Sequence, residues 1–174
     1  WHVGGMRGSG DLRVKEGDVP GHTPSGMNVP GKSNRHAMTD AEVQDAVDGF
    51  AAGVQAASEL GFDAVELHGA HGYLLDQFFW DGTNQREDRW GGTPARRGEF
   101  VAEIVRASRQ RVGPDFPIIL RYSQWKQQDF SARLAETPDA LEAFLTPSEI
   151  ASLETRIEQV SNLDLTAGLV EKAI

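Results

Sequence analysis

The sequence predicts an α/β fold that is part of a (β/α)8 TIM barrel with parallel strands, and three observations carry that expectation. Amphipathic helices alternate with short apolar strands, an order that implies right-handed βαβ units on a parallel sheet. The loops after the strands are much longer than the loops before them, which suits a barrel whose strand-to-helix loops build the active site. Only two strands are clear, and a closed barrel takes about 250 residues, so a chain of 174 residues supplies a portion of one.

Residues 1–38 are rich in Gly, Pro, Ser and Asn without a sustained period of 2 or 3.6, and read as a long surface excursion. At Thr39 the character changes. Thr39-Asp40-Ala41-Glu42 is a capping box, in which hydroxyl and carboxylate satisfy the unpaired amides of a helix start. Val43, Val47, Phe50, Val54 and Ala57 then form an apolar stripe, and Gly61 closes the helix as a left-handed cap. Phe62 to Leu67 reads as a short strand between Gly61 and Gly69.

A second long loop covers residues 68–93, and Thr93-Pro94 opens the next helix with Thr as N-cap and Pro at the first position. Phe100, Ile104, Ala107 and Val112 form its stripe, which ends near Gly113-Pro114. Phe116 to Tyr122 reads as a buried strand with Arg121 near its C-terminal end, and Thr137-Pro138 starts a helix to about Leu145. Beyond it, Thr146-Pro147-Ser148-Glu149 is another capping box, and Ile150, Leu153, Ile157, Val160 and Leu163 recur at helical spacing. The expected division is therefore a barrel portion over 1–147 and a helical tail over 148–174, with no strand after Tyr122.

A net charge of −9 argues against a nucleic-acid or anionic-membrane partner, because phosphate binding needs clustered Lys and Arg. The short Arg96-Arg97 pair reads as a solvated helix face. Without cysteines the chain holds no disulfide, thiolate zinc site or iron–sulfur cluster. No apolar run approaches the roughly 20 residues of a bilayer span, and a cytoplasmic setting is expected. The chain starts at Trp1 without a Met, so a fragment, a processed product or an engineered piece is expected.

Chemistry gathers at His68-Gly69-Ala70-His71-Gly72-Tyr73-Leu74-Leu75-Asp76-Gln77-Phe78, directly after the strand ending at Leu67. Three side chains that donate hydrogen bonds and exchange protons lie within six residues, where a barrel strand presents its catalytic groups. Packed structural histidines remain the competing explanation. As metal ligands His68 and His71 lack a third partner at matching spacing; Asp76 and Asp81 are the carboxylates at hand, and no metal is assigned. Asn84, Arg86 and Asp88 read better as a loop-stabilising network than as catalysts. Arg121 needs an anionic or carbonyl partner, which a ligand or a structural carboxylate supplies equally well.

His68 to Phe78 followed by Thr83 to Gly92 resembles the paired signature of the old yellow enzyme family, H-x-A-[HN]-G-Y-L-x-x-Q-F and N-x-R-x-D-x-[WY]-G-G. Trp1-His2-Val3-Gly4 looks like that family's W-H-x-G segment, and Phe116 to Ser123 like its fifth strand. The likeness covers about residues 1–147. It implies an FMN-dependent, NAD(P)H-driven oxidoreductase that reduces activated alkenes such as enones and nitroalkenes. By that resemblance His68 and His71 hydrogen-bond the substrate oxygen, Tyr73 delivers a proton to the alpha carbon, and Arg121 and His2 belong to the flavin site. The family's first strands, the Gln before W-H-x-G, and its phosphate-gripping last strands have no counterpart here. The alternatives are a non-catalytic barrel portion that self-associates or needs missing segments, and a metal-dependent (β/α)8 hydrolase using His68 and His71. A small-molecule substrate and a homo-oligomer are the expected partners.

Overall fold

The computed structural model describes residues 21–33, 35–122 and Lys126, together with the backbone of 153–154. The expected helix at Thr137 and the Trp1-His2-Val3-Gly4 segment, His2 included, lie outside the described residues.

Ahead of the first helix, residues expected to wander carry four short strands. These are β1 His22–Thr23, β2 Met27–Val29, β3 Lys32–Ser33 and β4 His36–Ala37. Strands β2 and β3 form an antiparallel hairpin, while β1 pairs in parallel with β4. Strands of two or three residues leave no alternation to read, which is why the sequence pattern misses them.

Helix α1, Asp40–Glu59, starts at the expected capping box. The Thr39 hydroxyl accepts the Glu42 N–H at 3.2 Å, and the Glu42 carboxylate accepts the Thr39 N–H at 2.7 Å. Those contacts, the Thr39 amide first and the His36 ring second, pull the Glu42 carboxyl down to about 2. At the other end Gly61 takes φ 82°, with Gly61 N–H donating to the Ser58 carbonyl and Phe62 N–H to that of Ala57. This is the paired closure that a left-handed residue permits.

Strand β5, Val65–Gly69, starts three residues later than expected, and Phe62 is 63% exposed ahead of it. Inside the predicted loop lies a short helix, α2, Leu74–Phe79, all of it buried. Six residues are too few for a helical period to stand out from a buried apolar run. Helix α3, Pro94–Val112, has the expected Thr93 cap and Pro start. One expectation fails on it: Arg97 is buried rather than solvated. Its guanidinium donates to the Phe79 carbonyl at 2.8 Å and to that of Gly92, so it satisfies the backbone at the end of α2 and at the closing glycines.

Strand β6, Ile118–Tyr122, pairs in parallel with β5, and β7, Leu153–Glu154, pairs in parallel with β6, giving the order β5-β6-β7. The helical reading of the tail is therefore wrong at Leu153–Glu154. The open hydrogen-bonding edge of β6 outweighs a local 3.6-residue pattern there, since tertiary pairing overrides propensity.

Alternation sorts the sheet into two faces. Leu67, Ile118, Leu120 and Tyr122 lie against a core with Val43, Val47, Phe50 and Val54 of α1 and Phe100, Ile104 and Val105 of α3. Phe100 stacks on Phe78 with ring centroids 4.1 Å apart. Glu66, His68, Ile119 and Arg121 alternate with those residues and are only partly buried. That second face, at its C-terminal edge, carries the candidate site residues His68 and Arg121.

Candidate active site

In-register pairing makes His68 and Arg121 direct neighbours across β5 and β6. Directly opposed residues of adjacent strands share a face, so imidazole and guanidinium emerge side by side. Gly69 allows the strands this approach: a Cβ there would lie 2.9 Å from the Arg121 carbonyl oxygen and 3.3 Å from the Phe79 ring.

Past the strand the backbone turns sharply. His71 has φ 60° and Gly72 φ 77°, a pair of left-handed residues that is ordinary for Gly and costs a histidine on the order of 1 kcal/mol. Three contacts hold the turn. Gly72 N–H donates to Asp76 at 2.8 Å, the Gln77 amide donates to the Gly72 carbonyl at 2.6 Å, and Tyr73 N–H donates to the Ala70 carbonyl at 3.3 Å. The result folds His71 and Tyr73 back over His68, with ring centroids 5.0 Å from His68 to His71 and 5.3 Å from His68 to Tyr73. Burial, and then the nearby Arg121 charge, lower the His71 pKa from its ordinary value. At neutral pH His71 is thus a neutral donor rather than a cation.

The sequence reading missed what anchors this turn. Asp76 forms an ion pair with Lys126 in which both side chains are essentially solvent-free, at 1% and 0% exposure. Burial pushes the Asp76 carboxyl up and the Lys126 ammonium down, while each opposes the other's shift. As a carboxylate committed to Lys126 and Gly72, Asp76 is a brace for the turn rather than the third metal ligand considered beside His68 and His71. An acidic residue four positions after Gly72, inside a largely apolar run, was the available clue in the sequence, but Lys126 lies 50 residues away.

The following loop is the structural network expected of it. Asn84 donates to the Phe78 and Trp90 carbonyls, each at 2.8 Å, and accepts the Arg86 N–H at 3.2 Å. Arg86 pairs with Asp88 and donates to the Pro24 carbonyl at 2.8 Å and to that of Met38. The loop is thereby fastened to the segment before α1. A further cluster joins residues too far apart in sequence to show a ligand spacing. One ligand atom each of His22, His36 and Glu42 lie within 4.8 Å of one another, and among the described residues they alone form such a group.

The sequence model of the NADH:flavin oxidoreductase / NADH oxidase family matches residues 1–172, running past the boundary expected near residue 147. A probable NADH-dependent flavin oxidoreductase, YqiG of Bacillus subtilis (strain 168), is 36% identical over 146 residues, covering 82% of this chain and 38% of that protein. The 12-oxophytodienoate reductase 2 of Arabidopsis thaliana is 31% identical over 156 residues, covering 85% of this chain and 41% of that protein. The chain thus spans less than half the length of these relatives.

Among solved structures, a morphinone reductase variant in complex with tetrahydroNAD matches with a TM-score of 0.54 and 29% identity, over 60% of this chain and 33% of that one. A 2-naphthoyl-CoA reductase complex matches with the same score and identity, over 58% of this chain and 16% of that one. The parallel strands with helices outside them are accordingly part of a (β/α)8 barrel. Among the described residues no helix is long and apolar enough to cross a membrane. From its first residue to its 172nd, the chain belongs to the NADH:flavin oxidoreductase / NADH oxidase family, the old yellow enzyme family.

Proposed function

We propose that the site serves the reduction of activated C=C bonds in enones or nitroalkenes, in a protein that binds FMN and takes its electrons from NAD(P)H. The observation that carries this reading is the gathering of His68, His71 and Tyr73 around one point at the end of β5, with Arg121 in register beside them. The donor set fits a flavin next to an electron-poor alkene: a guanidinium for an electron-rich ring edge, and hydrogen-bond donors for a carbonyl or nitro oxygen. When bound, FMN would supply the hydride that reaches the substrate's beta carbon, after its own reduction by NAD(P)H.

His68 and His71 donate hydrogen bonds to the substrate oxygen, where negative charge grows as the beta carbon is reduced. Donors already in place stabilise that charge more in the transition state than in the ground state. Tyr73 holds a phenolic proton for the alpha carbon. Arg121 would be one of the residues holding the flavin, its charge favouring electron density on the ring. The Asp76–Lys126 brace keeps the turn, and with it both proton-bearing rings, in place.

A second reading concerns this 174-residue chain rather than the site: that it reaches this activity only when joined by further barrel segments. Supporting it, β5 is an edge strand among the described residues. Beside it runs an apolar cavity of about 800 Å³ lined by Phe50, Val54, Leu60, Phe62, Val65 and Leu67. The test is titration of the purified chain with FMN, followed by anaerobic addition of NAD(P)H and an enone. Shifted flavin absorbance with enone-dependent reoxidation supports the first reading. Flavin binding that appears only once the missing segments are co-expressed supports the second. Failure of both to give enone-dependent reoxidation overturns the proposal.

A further inference from the structure

We propose that His22, His36 and Glu42 form a binding site for a divalent transition-metal ion of the zinc class, held by two imidazole nitrogens and one carboxylate. The cluster lies on the connection into α1, in the segment before the helix, and is separate from the His68–His71 pair. The β1–β4 pairing sets His22 directly opposite His36, and the two rings meet edge to face with centroids 4.8 Å apart. Glu42, in the first turn of α1, reaches both. His36 Nε2 lies 2.8 and 2.9 Å from the two carboxylate oxygens, and His22 Nε2 lies 3.6 Å from one of them.

Zinc holds nitrogen and oxygen ligands at about 2.0–2.2 Å, so tetrahedral neighbours stand roughly 3.3–3.6 Å apart. The nitrogen-to-carboxylate separations of 2.8 to 3.6 Å span that spacing, and all three ligand atoms lie within 4.8 Å of one another, so binding an ion would draw the side chains together. Three protein ligands would leave one position for water or a small ligand.

The carboxylate is also supported as metal-binding carboxylates usually are, by hydrogen bonds from behind. Thr39 N–H and Oγ–H donate to one Glu42 oxygen at 2.7 and 3.0 Å. All three side chains are about one-third exposed, which leaves a path for an ion to enter. The positive end of the α1 dipole disfavours a cation here, but Asp40 and Glu42 both lie in that first turn and offset it. A structural role for the ion follows from where the ligands sit. An ion would join residues 22, 36 and 42, clamping the strand-and-hairpin segment to the helix start.

The test is titration of the chelator-treated 174-residue chain with Zn²⁺, by calorimetry and by competition with a chromophoric chelator. Expected is a single equivalent bound at micromolar affinity or tighter, a raised melting temperature, and a Co²⁺ complex with the visible absorption of imidazole coordination. His22→Ala and His36→Ala each weaken binding roughly tenfold or more, and His22→Ala, whose ring is beyond hydrogen-bond distance of Glu42, keeps the far-ultraviolet circular dichroism of the parent. Absence of stoichiometric binding overturns the proposal. So does binding that survives both substitutions, or binding lost in His71→Ala but not in His22→Ala.

Discussion

The Gly72 amide donates to one oxygen of the Asp76 carboxylate while the Lys126 ammonium holds the other. A buried ion pair is thereby wired to a left-handed turn, and the turn decides where His71 and Tyr73 stand. Asp76→Asn leaves the ammonium buried without its counter-charge, which costs roughly 3–5 kcal/mol. Urea unfolding followed by circular dichroism measures it, and the double variant with Lys126→Met recovers much of the loss. A cost under about 1 kcal/mol would mean that the pair behaves as a solvent-screened one.

Acidification should weaken the fold through His71. Its folded pKa lies below the ordinary 6.5, from burial first and Arg121 second. Just under that value the unfolded chain binds more protons than the folded one, so unfolding free energy rises with pH across the window. The contribution is complete above about 6.5 and is lost as pH falls toward the folded value. Urea midpoints compared at neutral pH and about one unit below the ordinary histidine value should differ less in His71→Asn than in the parent.

Gly91 and Gly53 should respond to alanine with opposite signs. A Cβ on Gly91 would lie 2.5 Å from the Arg86 Cβ and closer still to the Arg86 carbonyl oxygen, so backbone must move. Gly91→Ala should cost roughly 1–3 kcal/mol. Gly53, inside α1, has nothing within 4 Å of its would-be Cβ, and Gly53→Ala should gain roughly 0.5–1 kcal/mol. Melting temperatures of the two variants check both signs.

Tyr73→Phe removes the proposed proton donor without removing the ring beside His68. In the flavin-loaded protein, alkene reduction should slow on the order of a hundredfold or more, while reduction of the flavin by NAD(P)H stays within a few-fold. Rapid-mixing absorbance separates the half-reactions. Equal slowing of both would assign Tyr73 a structural part.

Leu60 and Phe62 are 77% and 63% exposed beside β5, an edge strand among the described residues. Unpaired edges flanked by apolar groups invite pairing with another chain. Sedimentation should show concentration-dependent association that Leu60→Lys with Phe62→Lys reduces.

Much of this was legible from residues close together in sequence. The α1 cap needed only Thr39 and Glu42, the α3 start only Thr93 and Pro94, and the grouping of His68, His71 and Tyr73 only their closeness to a strand end, although β5 runs to Gly69 rather than Leu67 and carries His68 itself. What stayed hidden depends on distant partners. Lys126 reaches Asp76 across 50 residues, Arg97 finds its carbonyls only after α2 and the glycine pair fold against α3, and His22 meets His36 through strands too short to show a pattern. The tail misled for the same reason. Leu153 carries a helical spacing, yet its backbone joins a sheet edge that a local window never includes.

Because His68 and Arg121 face each other across one rung of the β5–β6 ladder, the distance between their backbones is inherited from strand spacing, about 4.8 Å. Insertions or substitutions in the long connections on either side leave that interval untouched. Such a scaffold lets the surrounding walls change while the imidazole and the guanidinium keep their separation.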